Sequence, residues 1–250
     1  MISEDFAAGD SALHRLDPRM KLVVAAAFSV VVAVLEAWGP LAAALIFSLA
    51  LAATAKLPPR QAAVRLALVN GFVLFLWATL PFSVPGEPLL TLGPLTASSE
   101  GVQRALLISV KSNAIILALL ALLATTPVIS LAHAANHVFV PAKLVHLFFF
   151  TYRYIHVLHA EYVSLTNAMK IRCFRPGHNL HTYRSYAYLV GMLLVRSLRR
   201  SQRVYDAMVC RGFRGTFWLL DHFELRPFDL ACGAAMGLAV VGLAAWGWLA

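Results

Sequence analysis

The chain has 250 residues, of which 60% are hydrophobic and 13% charged, with a mean hydropathy of +0.73. A water-soluble domain this poor in polar residues has nothing with which to cover its surface, so composition excludes that class and indicates an integral membrane protein. The net charge of +9 fits basic cytosolic loops beside an anionic leaflet, and in so apolar a chain it does not point to nucleic acid.

The N-terminus is acidic (Glu4, Asp5, Asp10) and the first apolar run starts only after Lys21, so no cleavable signal is expected. Five apolar runs are expected to span the bilayer: 22–38, 41–55, 66–82, 105–124 and 229–249. Each approaches the roughly 20 residues that a bilayer core requires. Gly39-Pro40 reads as a tight turn between the first two, and Lys56-Leu57-Pro58-Pro59-Arg60 as the loop after the second. Arg15, Arg19 and Lys21 precede the first run, and Lys56, Arg60 and Arg65 lie between the second and third. The stretch 83–103 has no basic residue and carries Glu87 and Glu100. The positive-inside rule then places the N-terminus and the 56–65 loop in the cytosol, and the region 125–227 with them. Ten of the twenty-one Lys and Arg residues fall between Lys170 and Arg214. The expected organisation is a four-span membrane part (1–124), a cytosolic region (125–227) and a C-terminal span (228–250). The fold class is all-α: about five transmembrane helices and two long amphipathic cytosolic ones.

Within the central region, Thr125-Thr126-Pro127 is placed to cap a short helix ending near Asn136. Pro141 fits the first turn of a long helix reaching Arg172. Along it Leu144, Leu147, Phe148, Thr151, Ile155, Leu158, Tyr162, Leu165 and Met169 form an apolar stripe. After a linker at 175–179, a second long helix is predicted from Tyr183 to Arg211. One of its faces carries Arg196, Arg199, Arg200 and Arg203, and another Leu194, Leu198, Ser201, Tyr205 and Met208. At 1.5 Å per residue each helix is about 40–45 Å long. The two are expected to pack on one another beneath the bilayer, and the basic stripe suits an anionic lipid surface.

Both long helices end in an Arg-centred signature followed by a break: Ala168-Met169-Lys170-Ile171-Arg172-Cys173-Phe174 before Arg175-Pro176-Gly177, and Asp206-Ala207-Met208-Val209-Cys210-Arg211-Gly212-Phe213 before Arg214-Gly215. A cation at a helix C-terminus is favoured by the helix dipole, which accounts for one such ending. Two of them, thirty-nine residues apart, suggest a paired device for gripping something acidic. An Arg there makes bidentate pairs with carboxylates that Lys does not reproduce.

Other chemistry is less specific. His133/His137, His156/His159 and His178/His181 have ligand-compatible spacing, but no Cys or carboxylate cluster accompanies them, so neither a metal site nor a cofactor is expected. Cys173, Cys210 and Cys232 form no ligand or disulfide pattern, and the first two are assigned a small apolar packing role. GxxxxGK[ST], GxSxG and HExxH are absent, so the chain carries no nucleotide loop, nucleophile elbow or zinc-protease motif of those types. Glu36 and Lys111, in apolar runs, are expected to snorkel to the interface.

Leu13-His14-Arg15-Leu16-Asp17-Pro18-Arg19-Met20-Lys21, the two Arg-terminated helices and the 196–208 stretch resemble the transmembrane T component of energy-coupling factor transporters. The likeness covers essentially the whole chain and points to the cobalt and nickel branch, of the CbiQ/NikQ type. That family's coupling helices end in Ala-Arg-Gly; here the endings read Ile171-Arg172-Cys173 and Cys210-Arg211-Gly212. The resemblance implies a non-catalytic subunit that joins a pair of cytosolic ABC ATPases to a membrane S component, which itself binds the metal. A small accessory membrane subunit is a further implied partner. Arg172 and Arg211, with Cys173, Cys210 and Gly212 around them, would dock in acidic grooves of the two ATPase subunits. Arg196, Arg199, Arg200 and Arg203 would support the helices, which carry the ATPase motion to the S component. Two rivals are a T component serving a vitamin and a membrane-embedded enzyme acting on lipid. The enzyme lacks paired carboxylates, since Glu161, Asp206, Asp221 and Glu224 are scattered.

Overall fold

Asp17-Pro18 starts the first long helix by simple means. The Asp17 carboxylate accepts the Arg19 amide at 2.8 Å, and Pro18 occupies the first helical position, where its missing N–H costs nothing. A computed structural model describes residues 9, 11–92, 95–138, 140–215 and 227–249. The acidic residues Glu4, Asp5, Asp10, Asp221 and Glu224 lie outside these. In order come α1 (Ala12–Arg15), α2 (Pro18–Val34), α3 (Trp38–Thr54), α4 (Pro59–Ser83), β1 (Pro88–Leu92), β2 (Leu95–Ser98), α5 (Ser99–Leu122), α6 (Val128–His137), α7 (Ala142–Ile171), α8 (Leu180–Cys210) and α9 (Pro227–Leu249). By packing the described residues divide into two units, one of α1–α6 with α9 and the other of α7 with α8.

In the first unit α2 is central and packs against α5, α6 and α9; α3 packs on α5 and α9, and α4 on α5. The core holds Phe28, Val32, Leu41, Ala44 and Val240 against Ala114, Ala118 and Ala121 of α5. Small residues repeated at helical spacing let helices approach closely where lipid supplies no hydrophobic drive. Polar side chains join the same helices. Asn70 and Asn113 exchange amide hydrogen bonds at 3.0 Å, and Trp77 Nε1 donates to Ser109 Oγ at 2.9 Å, both between α4 and α5. Gly101 belongs at this contact, because a Cβ there would lie 2.7 Å from Leu80 O and Pro81 Cα. α4, α5 and α9 are long and apolar enough to cross a membrane. α2 and α3 have 17 residues each.

Several local expectations are revised. Gly39-Pro40 is not the turn; it lies in the first turn of α3, whose N-cap is Ala37. The 83–103 stretch contains a short antiparallel hairpin, with Thr91 opposite Thr96 and Leu92 opposite Leu95. Ser98 then caps α5 by accepting the Gly101 amide at 3.1 Å. Thr125 and Thr126 do not cap α6, whose N-cap is Pro127. The Thr125 hydroxyl instead donates to Ala121 O at 2.8 Å. Lys111 Nζ donates to Ala33 O at 3.0 Å, satisfying a carbonyl in the last turn of α2. Glu36 is exposed beyond that helix end.

Candidate functional site at two helix ends

The second unit has almost no interior. None of the 30 residues of α7 is buried, and of the 31 in α8 only Thr182 and Leu189 are. α7 starts after Pro141 as its N-cap, and α8 starts at Leu180, three residues before the expected Tyr183. Between them Phe174 packs its ring on His181 and Tyr186, with centroids 6.2 and 5.9 Å away, and the Gly177 amide donates to Thr182 Oγ1 at 3.2 Å. The helices run back over one another. Glu161 bonds Arg196 directly and lies 3.9 Å from Arg200. Arg199 and Arg203 are exposed.

The expected apolar stripe is not sealed between the helices. Leu144, Leu147, Phe148, Ile155, Leu158 and Tyr162 remain exposed, as do Leu194, Leu198 and Tyr205 on α8. Part of it lines an open apolar cavity of about 660 Å³ with Phe150, Tyr154, Leu158, Leu198, Tyr205 and Met208 on its walls. The helices touch over a limited stretch because Glu161 and the arginines occupy the crossing, so the apolar faces on either side are left for something else to cover.

Arg172 and Arg211 occupy the same structural position, the C-cap, with φ/ψ of −82/18° and −89/9°. Beyond each the chain makes the same two hydrogen bonds. Cys173 N donates to Lys170 O at 3.0 Å and Phe174 N to Met169 O at 3.1 Å; Gly212 N donates to Val209 O at 2.9 Å and Phe213 N to Met208 O at 3.0 Å. These are the two bonds of the Schellman motif, which requires a left-handed residue just after the cap. Gly212 supplies it with φ 80°, and Cys173 supplies it with φ 60°. The two caps share the sequence pattern Ala-Met-x-x-Arg-x-Phe-Arg, at 168–175 and 207–214. That self-match is the signal by which their equivalence is visible without coordinates.

Both guanidinium groups are exposed, and neither has an ion-pair or hydrogen-bond partner among the described residues. The structure does not bring them together. Counting from the Glu161 crossing at 1.5 Å per residue, the α7 cap lies about 16 Å along its helix and the α8 cap about 17–22 Å along the other, in the opposite sense. Beside the first cap is an open cavity of about 670 Å³ lined by Met169, Arg172, Cys173, Phe174, His181 and Leu189. Cys173 and Cys210 are exposed, so the packing role assigned to them does not hold. Among the histidines, the rings of His133 and His137 meet edge to face at 5.1 Å. No group of three or more His, Cys, Asp or Glu able to hold a metal occurs among the described residues.

The molecule is thus an all-α polytopic membrane protein that presents two matched cationic helix ends. Comparison with known proteins supplies its family. The CbiQ family, described as cobalt transport protein, matches residues 9–218, which include both caps. The energy-coupling factor transporter transmembrane protein EcfT of Leuconostoc gelidum is 26% identical over 98% of this chain and 96% of its own length. EcfT of Thermosediminibacter oceani is 26% identical over 94% and 93%. The cobalt transport protein CbiQ of Rhodobacter capsulatus is 27% identical over 53% of this chain and 55% of its own. The chain belongs to the CbiQ family, as a transmembrane T component of the energy-coupling factor transporter type.

Proposed function

We propose that this chain is the energy-coupling subunit of an ATP-driven importer of cobalt, with nickel as the second candidate, in the inner membrane of a bacterium. In this reading α7 and α8 lie on the cytosolic side with the N-terminus. Arg172 and Arg211 each dock on one subunit of an ABC ATPase dimer, the exposed apolar faces contact a metal-binding S component, and the chain itself turns nothing over. The observation that carries it is the pair of equivalent caps. Each holds an exposed guanidinium at the negative end of a helix, without a partner among the described residues, so both donor forks are free to pair with a partner's carboxylate. Their placement at opposite ends of a helix pair suits two equivalent grooves on a dimer. A helix resists bending, so displacement at one cap is carried along its length rather than absorbed.

The test is the double variant Arg172→Glu, Arg211→Glu in the intact complex. It should lose ATPase copurification and metal uptake together; a double variant that keeps both disproves the coupling role. The sidedness has its own check in the native thiols. A membrane-impermeant maleimide should label Cys173 and Cys210 in inverted vesicles and leave them unlabelled in intact spheroplasts, and the reverse pattern would put the caps outside.

The second reading is a T component that serves a vitamin, because the relatives named for energy coupling are named for no metal. The two relatives above named as energy-coupling factor transporter transmembrane proteins match nearly the whole chain, whereas the one named for cobalt matches about half. Copurifying the S component and assaying uptake of cobalt, nickel and labelled vitamins by the same complex decides between them.

A further inference from the structure

Among the described residues the buried charged side chains are three: Asp17, Lys21 and Asp229. All three are buried where α2 packs against α6 and α9, and both carboxylates are near enough to act electrostatically on the Lys21 ammonium, so they are considered as one cluster. Lys21 has 0% exposure, and its Nζ donates to Thr126 Oγ1 at 2.8 Å. One Asp17 oxygen caps α2 through the Arg19 amide, while the other, buried, has no hydrogen-bond partner among the described residues. Three charges taken from solvent are an expensive way to hold helices together, and apolar side chains of similar volume do it as well or better. Ionisable groups inside a membrane protein are functional candidates for that reason.

The position of the cluster in the chain shows what it does. The polypeptide leaves the membrane-helix unit for α7 through α6, and Thr126 stands two residues before α6 begins. It returns from α8 into α9, and Asp229 is the third residue of α9. α2, which carries Lys21, packs on both α6 and α9. One buried cation is therefore hydrogen-bonded just before α6, the last helix ahead of the α7–α8 pair, and attracted electrostatically to the first turn of α9, the helix after it.

We propose that Lys21 is a positioning residue for energy coupling: with Thr126 and Asp229 it fixes to α2 the two helices, α6 and α9, that precede and follow the α7–α8 pair in the chain, so that they respond to the pair as one body. This rests on the coupling role proposed above. It assigns the Leu13–Lys21 segment a task that the two caps do not perform.

The test uses the complete transporter, copurified and reconstituted in proteoliposomes, with radioactive cobalt(II) uptake and ATP turnover measured on the same preparation. Thr126→Val removes one acceptor and Asp229→Asn one charge, each at nearly constant shape. Both should assemble at wild-type yield and keep ATP turnover within about twofold, while cobalt moved per ATP falls about fivefold or more, the lower end of usual coupling factors. Lys21→Arg should retain more coupling than Lys21→Met. Unchanged uptake per ATP in Thr126→Val and Asp229→Asn overturns the proposal, and so does a parallel fall of uptake and turnover. If Lys21→Met fails to assemble while those two couple normally, the cluster is a structural lock and the proposal is equally overturned. Failure here is distinct from failure of the coupling role itself. The latter appears as retained ATPase association and uptake in the Arg172→Glu, Arg211→Glu complex; the former appears with that variant dead and the Lys21-cluster variants fully coupled.

Discussion

The ends of α7 and α8 differ in sequence where geometry is most demanding and agree in structure all the same. At the left-handed position one has Gly212 and the other Cys173. A side chain there costs about 1 kcal/mol that glycine avoids, yet both ends close with the same pair of hydrogen bonds. What repeats across the two sites is the arginine at the cap, the Met three residues before it, whose carbonyl accepts a closing bond, and the Phe two residues after, whose amide donates that bond. The glycine is a convenience of the second site. The first holds its strained cysteine because Phe174 is fixed against His181 and Tyr186, which anchors the chain just beyond the left-handed residue.

That equality has a direct consequence for single charge reversals, the largest effect expected. Arg172→Glu and Arg211→Glu should each reduce uptake by at least about tenfold, the scale of losing one charge-assisted hydrogen-bonded pair. More telling is the ratio. Equivalent caps predict losses that agree within about threefold, since both lose the same kind of bond. If Arg211→Glu is far more damaging than Arg172→Glu, then the glycine matters beyond its backbone and the comparison fails.

Much of this was legible from residues alone. The helices of the membrane unit follow apolar runs bounded by Asp-Pro, Pro-Pro and Ser signals, and the two long helices end where Arg precedes a break. Two contacts that residues alone do not show depend on partners distant in the chain. Glu161 meets Arg196 across 35 residues and Lys111 meets Ala33 across 78; no periodicity encodes either. Gly39-Pro40 misled because a Gly-Pro pair reads as a turn, although Pro is well tolerated in the first turn of a helix, where its absent N–H has no partner to lose. The apolar stripe was read correctly as a stripe. Its covering by the other helix is only partial, because a crossing built on charge leaves the flanking surfaces apart.

A smaller effect is expected from exchanging the left-handed residues. Gly212→Cys should destabilise the second cap and Cys173→Gly relieve the first, each by at most about 1 kcal/mol, because the left-handed strain is partly offset by the entropy of the unfolded chain in both exchanges. Amide hydrogen exchange at residues 170–174 and 209–213 reads each cap separately. Uptake should change by less than about threefold in either variant, because both keep the arginine and the two closing bonds. A transport-dead Gly212→Cys with normal exchange at the cap would mean that the partner needs the bare backbone of Gly212, and the two sites would then differ in what they contact.

The smallest effect should come from Glu161→Gln. The pair looks central, standing where the helices cross, but Arg196 and Arg200 keep 49% and 46% of their side-chain surface exposed and Glu161 keeps 22%. Ion pairs this open to water contribute at most about 1 kcal/mol, and glutamine retains a hydrogen-bond acceptor. The thermal midpoint of the complex should move by a few degrees at most and uptake by less than about twofold. Each cap is closed by its own backbone, with no contribution from the crossing, so neither depends on Glu161 for its shape. A tenfold loss of uptake in Glu161→Gln, with both caps protected from exchange, would show that the caps act only at a fixed crossing of α7 and α8. The working unit would then be the helix pair, and matched ends would be necessary without being enough.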